Sequence, residues 1–153
     1  MSDKRETIMA ALHTALLTVD TDGGGAMTVN DRNGAEPIDP EKRPAIRMWD
    51  GDEVASTLPP RPAGRLSAVA VTAQPCIALY VTGEAAAAGT AANALLARVR
   101  KAIWTNTALQ SAIGADAVIG QDSLTQDIAS GSKTEGAYVL HLSIPYQFNP
   151  SSP

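Results

Sequence analysis

Cysteine is almost missing from this chain: Cys76 stands alone in 153 residues. A single thiol excludes an internal disulfide and any metal site built on several cysteines. Aromatic residues are nearly as scarce, with two Trp, three Tyr and one Phe. Six rings cannot fill a large interior. No apolar run approaches the roughly 18 residues that a membrane-spanning helix needs. The N-terminal Met1–Glu6 run is charged, and no apolar signal segment follows it, so a cytosolic chain is expected unless it leaves as part of a particle. Strong charge of either sign is also absent. The net charge is −4 and the isoelectric point is near 5.0, which argues against a nucleic-acid surface built on bulk charge.

Alanine is what the chain has in quantity. It supplies 27 residues, whereas Leu, Ile, Val and Phe together number 31. That is about the one-fifth level at which disorder begins, but disorder also requires a large net charge. The expectation is a folded single domain over residues 1–148 with a thin, Ala-diluted core, and a frayed tail at Asn149–Pro153. A thin core further suggests that another chain buries part of the apolar surface.

Hydrophobic spacing predicts the elements. Ile8, Leu12, Ala15, Leu16 and Val19 recur at helical intervals over Asp3–Thr18, with Asp3 placed to cap the first turn. A short strand is expected at Met27–Val29, and Asp31–Arg43, with two prolines and seven charges, is expected to be a loop. Pro44–Trp49 alternates like a strand and should end in an acidic turn, Asp50-Gly51-Asp52-Glu53. Val54–Gly64, with three prolines, should be a second long loop. Arg65–Thr72 should be a strand, with a turn near Gln74-Pro75. Cys76–Thr82 is apolar on both faces, as in a central strand covered on both sides. An Ala-rich helix over Glu84–Trp104 carries the stripe Ala92, Leu95, Leu96, Val99 and Ile103. A short helix over Thr107–Ile113 is closed by Gly114. Val118–Ile128 reads as a polar strand and Gly131–Lys133 as a turn. Ala137–Phe148 is the clearest strand, with Tyr138, Leu140, Leu142, Ile144, Tyr146 and Phe148 on one face and His141, Ser143 and Gln147 on the other. Pro145 cannot donate to a ladder, so an edge or an end is expected there. The order gives an α+β fold: one antiparallel or mixed sheet of about four to five strands, packed by the N-terminal helix and the long central helix, with long loops.

The chemistry-bearing residues each have a plain structural reading. Asp20, Asp22, Gly24 and Asp31 partly mimic a calcium loop, but the fifth and twelfth ligand positions are wrong, and a helix-ending turn explains them better. Gly23-Gly24-Gly25 lacks the Lys-Ser/Thr and the helix start that a phosphate loop needs. Asp50, Asp52 and Glu53 suit a solvated turn better than a hard-cation site. Cys76 with His13 or His141 could form a nucleophile and base, yet Cys76 sits in the most apolar strand, where a thiol acts as a small hydrophobe. Arg98, Arg100 and Lys101 complement the dipole at a helix end and have no aromatic platform for nucleic acid. No catalytic, cofactor or metal site emerges, and no enzyme is expected.

The order of segments resembles the tail terminator, or tail completion, proteins of long-tailed bacteriophages. The residues that carry this are Arg5, Ile8, Ala11, Leu12 and Leu16; Pro44, Ile46 and the run Trp49-Asp50-Gly51-Asp52-Glu53; Leu96, Val99, Ile103 and Leu109; and Leu140, Leu142, Ile144 and Tyr146. The chain departs from the pattern at Asn106-Thr107, where an acidic residue would open the short helix, and in its Pro59–Pro62 stretch. The resemblance implies a homo-oligomeric ring, typically a hexamer. The ring would cap the tail tube protein, stop tube growth and meet a neck or head-connector protein. It implies a virion location after assembly in the bacterial cytoplasm, no membrane, and no specific nucleic-acid binding although DNA passes through the ring. Candidate interface residues are Asp50, Asp52, Glu53, Arg61, Arg65 and His141. The competing expectations are another connector, neck or tube protein, and a small enzyme or ligand-binding module centred on Cys76 or on Asp50–Glu53.

Overall fold

The computed structural model describes residues 3–21, 23–55, 69–83, 85–129 and 134–149. The loop expected over Val54–Gly64 lies outside these from residue 56, as do Arg65, the turn at Gly131–Lys133 and the tail from residue 150.

Helix α1 spans Lys4–Leu17, and Asp3 caps it by accepting from the Arg5 amide at 3.0 Å. Strand β1 is Val29–Arg32 and β2 is Ala45–Ala55. Strand β3, Val69–Gly83, is followed by helix α2, Ala85–Trp104, and helix α3, Thr107–Ile113. Strands β4, Gly120–Ala129, and β5, Thr134–Phe148, complete the chain. The five strands form one sheet in the order β1-β2-β3-β5-β4. The β1–β2 pair is parallel and the others are antiparallel, so the sheet is mixed and the fold is α+β.

Among the described residues, the α-helices α1, α2 and α3 pack on one side of that sheet. Ile8, Leu12 and Leu16 of α1, Leu95, Val99 and Ile103 of α2, and Leu109 of α3 meet Ile46, Met48, Ile77, Leu79, Leu140, Leu142 and Ile144 in one core cluster. The alternation along β5 selects these residues as expected. The short helix ends where expected. Asn106 Oδ1 accepts from the Leu109 amide at 2.8 Å, so an asparagine does the capping that an acidic residue was expected to do.

The structure departs from expectation around three places in the sheet. The first strand falls at Val29–Arg32 rather than Met27–Val29, so Asp31 and Arg32 leave the expected loop. These charges fit an edge strand because each finds an opposite charge on β2: Arg47 for Asp31 and Asp50 for Arg32. The second correction concerns Asp50–Glu53. They form no turn, and β2 runs straight through them to Ala55, so Val54 and Ala55 are strand rather than loop. Pairing with β3 passes from Trp49↔Cys76 to Asp52↔Gln74, leaving Asp50 and Gly51 opposite Pro75 alone. This bulge exists because Pro75 has no N–H to give and Gly51 supplies φ +64. For the same reason Gln74-Pro75 is an irregular point inside β3 and not a turn. The third correction is to the covering of β3. The α-helices cover one face at Ile77, Leu79 and Val81, and among the described residues none of them lies on the other.

On that second face the segment after β1 folds over part of the sheet. Arg47 is 7% exposed there and donates to Asp31 and to the Glu36 carbonyl, while Arg43 lies 5.5 Å above the Tyr80 ring. Beyond this segment, Trp49, Cys76, Val139, His141 and Ser143 remain half-exposed, as does Tyr80 beneath Arg43. Pro145 conforms to expectation: β4 pairing stops at Gly120↔Ser143, so among the described residues strand β5 pairs at Pro145 with β3 alone.

Candidate functional site

Two arrangements bring chemistry-bearing residues together. The first is built on the β2 bulge. Arg32 donates to both Asp50 oxygens at 2.7 Å and to both Glu6 oxygens at 2.7 and 2.8 Å. The guanidinium fork matches carboxylates in this two-point way. Arg5 reaches the same place from the first turn of α1 and donates to the Gly51 carbonyl at 2.6 Å. Its Nε also lies 3.8 Å from Glu53, whose carboxylate accepts from the Tyr146 hydroxyl. The Asp50 amide in turn donates to Asn33 Oδ1 at 3.1 Å. The bulge is thus tied to α1, β1 and β5 by one polar network.

Electrostatics follow from these contacts. Hydrogen bonds from Arg32 hold the Asp50 and Glu6 carboxyls below the usual carboxylate range. Burial, reinforced by Glu53, pushes the Tyr146 phenol above its ordinary value. These contacts tie the bulge to α1, β1 and β5. Among the described residues no group of three or more His, Cys, Asp or Glu is arranged to hold a metal ion.

The second arrangement is a cross-strand row on the sheet face away from the α-helices. In register, Trp49 lies opposite Cys76, Cys76 opposite His141, and His141 opposite Ser123. Cys76 and His141 are therefore neighbours, the pairing that a nucleophile and base would need. Burial pushes the thiol up from its ordinary value, which disfavours the reactive thiolate. His13 is elsewhere, on α1, with Nε2 3.4 Å from the Asn30 carbonyl.

The structure therefore divides the expected interface residues. Asp50 and Glu53 are joined in the bulge network, and Asp52 is exposed beside them. His141 belongs to the open face instead. Arg61 and Arg65 lie outside the described residues. Sequence reasoning missed Arg5, Arg32 and Tyr146 as partners. A signal was present: Asp31-Arg32 and the Arg47…Asp50 run carry opposite charges that two neighbouring strands would pair. An open cleft of about 610 Å³ adjoins the α3–β4 connection, lined by Val71, Ile113, Asp116, Val118, Pro145 and Tyr146.

The arrangement defines a two-layer α+β domain with helices on one side and a half-exposed sheet face on the other. Compared with known proteins, the chain matches no family model and no curated sequence. Among the described residues, no helix is long and apolar enough to cross a membrane.

Proposed function

We propose that this chain is a structural virion protein that forms a ring on the end of a phage tail tube, ends tube polymerisation and presents a surface to the neck or head connector. The observation that carries this reading is the packing of the α-helices on one side of the sheet, which leaves the other side only partly covered. Three helices spend their apolar faces on one side, and the other side offers Trp49, Cys76, Tyr80, Val139 and His141 half-exposed. A face of mixed apolar and polar residues at partial exposure suits contact with other protein surfaces. The residues behind the family resemblance support the reading through their positions. Ile8, Leu12 and Leu16 form the buried side of α1, Trp49–Glu53 surround the bulge, and Leu140, Leu142 and Ile144 form the buried side of β5.

The carboxylates of the bulge support a structural role as well. Asp50 and Glu53 are occupied by Arg32, Arg5 and Tyr146, so their charge holds the fold and shapes the surface around Asp52. A head-to-tail interface must close into a ring or run on into a filament, and a tube cap has to close. A second reading, a small ligand-binding module, draws on the cleft beside Asp116, whose volume falls in the range of small-molecule sites. Negative-stain microscopy of the purified protein with light scattering, followed by imaging of assembled tails, separates the two. Closed rings at the tail end support the first reading. A monodisperse monomer absent from particles supports the second.

A further inference from the structure

Asn33-Gly34 joins β1 to the segment that folds over the sheet, and of the five asparagines in the chain only Asn33 precedes a glycine. Asparagine before glycine is prone to closing into a cyclic imide, because glycine sets no side chain in the way of its own amide nitrogen. The fold needs both residues at this corner. Asn33 stands at φ +56, in the left-handed region that asparagine tolerates better than most residues. A β-carbon at Gly34 would lie 2.7 Å from the Arg47 guanidinium. That group is not free to swing away, since Arg47 is buried and donates to both Asp31 oxygens at 2.7 Å and to the Glu36 carbonyl. Asn33 itself is exposed, yet β2 holds it at two points. Its amide donates to the Met48 carbonyl at 2.7 Å, and its Oδ1 accepts from the Asp50 amide at 3.1 Å.

We propose that Asn33 is a deamidation site of the native protein, and that the β2 bulge sets its rate by holding the side chain. The Gly34 nitrogen attacks Asn33 Cγ. An N–Cγ bond forms, the Cγ–Nδ2 bond breaks and ammonia leaves, its extra proton coming through solvent from the Gly34 amide. Water then opens the imide at either carbonyl, to give aspartate or isoaspartate at position 33. Attack requires Cγ to turn toward Gly34, which the Asp50 contact resists, so the reaction waits on local opening of the corner. Asp50-Gly51, its neighbour in the bulge, closes readily only from a neutral carboxyl, and two bonds from Arg32 hold Asp50 ionised. Isoaspartate adds one carbon to the main chain beside the fixed Arg47, so each event loosens the corner further. The inference does not rest on the ring reading and stands or falls separately from it.

The test is peptide mapping by mass spectrometry of the folded chain during incubation at mildly alkaline pH, beside the same chain unfolded in urea. Aspartate and isoaspartate should accumulate at position 33 before any other asparagine converts. The folded chain should convert at least about tenfold more slowly than the unfolded one, because opening limits attack. Arg32→Gln frees the bulge carboxylate and should speed conversion of the folded chain by about threefold or more. Hydrogen exchange of the Asp50 amide supplies a measure that needs no variant: in wild type, sub-denaturing urea should raise exchange at Asp50 and conversion at Asn33 together. No conversion in the folded chain, equal rates in folded and unfolded chains, or another asparagine converting first would overturn the proposal. So would exchange at Asp50 that rises while conversion at Asn33 stays constant.

Discussion

Gly51 is the position where a single methyl group should do the most damage for its size. It sits in the β2 bulge at φ +64, a left-handed conformation that costs an L-residue about 1–2 kcal/mol. A β-carbon built there would lie 2.7 Å from the Gln74 carbonyl carbon, closer still to its oxygen, and 3.2 Å from the Pro75 α-carbon. Those are backbone atoms of the central strand, so no side chain can swing away. Relief requires β2 to move off β3, which also pulls Gly51 from the Arg5 guanidinium. Conformational strain and overpacking together should cost about 3–5 kcal/mol in Gly51→Ala, a large share of the ~5–15 kcal/mol of a whole domain. Chemical denaturation followed by circular dichroism measures this directly. Gly51→Asn separates the causes, because asparagine tolerates the left-handed region but still carries a β-carbon. If close approach dominates, as the geometry says, Asn should fail nearly as badly as Ala. Both variants falling within about 1 kcal/mol of wild type would refute the account of the bulge.

The other perturbations act on single layers of the structure. Val99 is fully buried mid-stripe on α2, so Val99→Asp buries an unpaired charge and should prevent folding, whereas His141→Gln, on the open face, should melt close to wild type by calorimetry. The Asp50 carboxyl is held below its ordinary value by Arg32, so its contribution is fully present above the unfolded-state value near 4 and is lost as pH falls through the lower folded value. Melting temperature measured from pH 6 down to pH 2 should drop less steeply in Asp50→Asn than in wild type, and identical acid limbs would contradict the pairing. Asn106→Ala removes the cap of α3 and should cost about 1 kcal/mol in urea denaturation.

What the sequence revealed and what it hid have one physical cause. Elements whose character lies in hydrophobic period were legible: α1, α2 and β5 each present an apolar stripe, and α3 adds a cap and a terminal glycine. Elements made by pairing were not. Asp31 and Arg32 look like loop residues until β2 supplies Arg47 and Asp50 beside them. Asp50-Gly51-Asp52-Glu53 has the composition of a turn, and only Pro75 on the neighbouring strand makes it a bulge. The bulge network was hidden for the same reason, since Arg5, Glu6, Arg32, Glu53 and Tyr146 are joined across four separate elements. The row Trp49–Cys76–His141 likewise appears only when strands β2, β3 and β5 are laid in register.

The measurement that bears most directly on the proposed role is electron cryomicroscopy of complete tails from a phage that encodes this chain. The proposal predicts six copies in one closed ring at the end of the tail tube, each presenting a surface to the tube, and tubes of uncontrolled length when the chain is deleted. A different copy number, a position away from the tube end, or tails of normal length without the chain would contradict it.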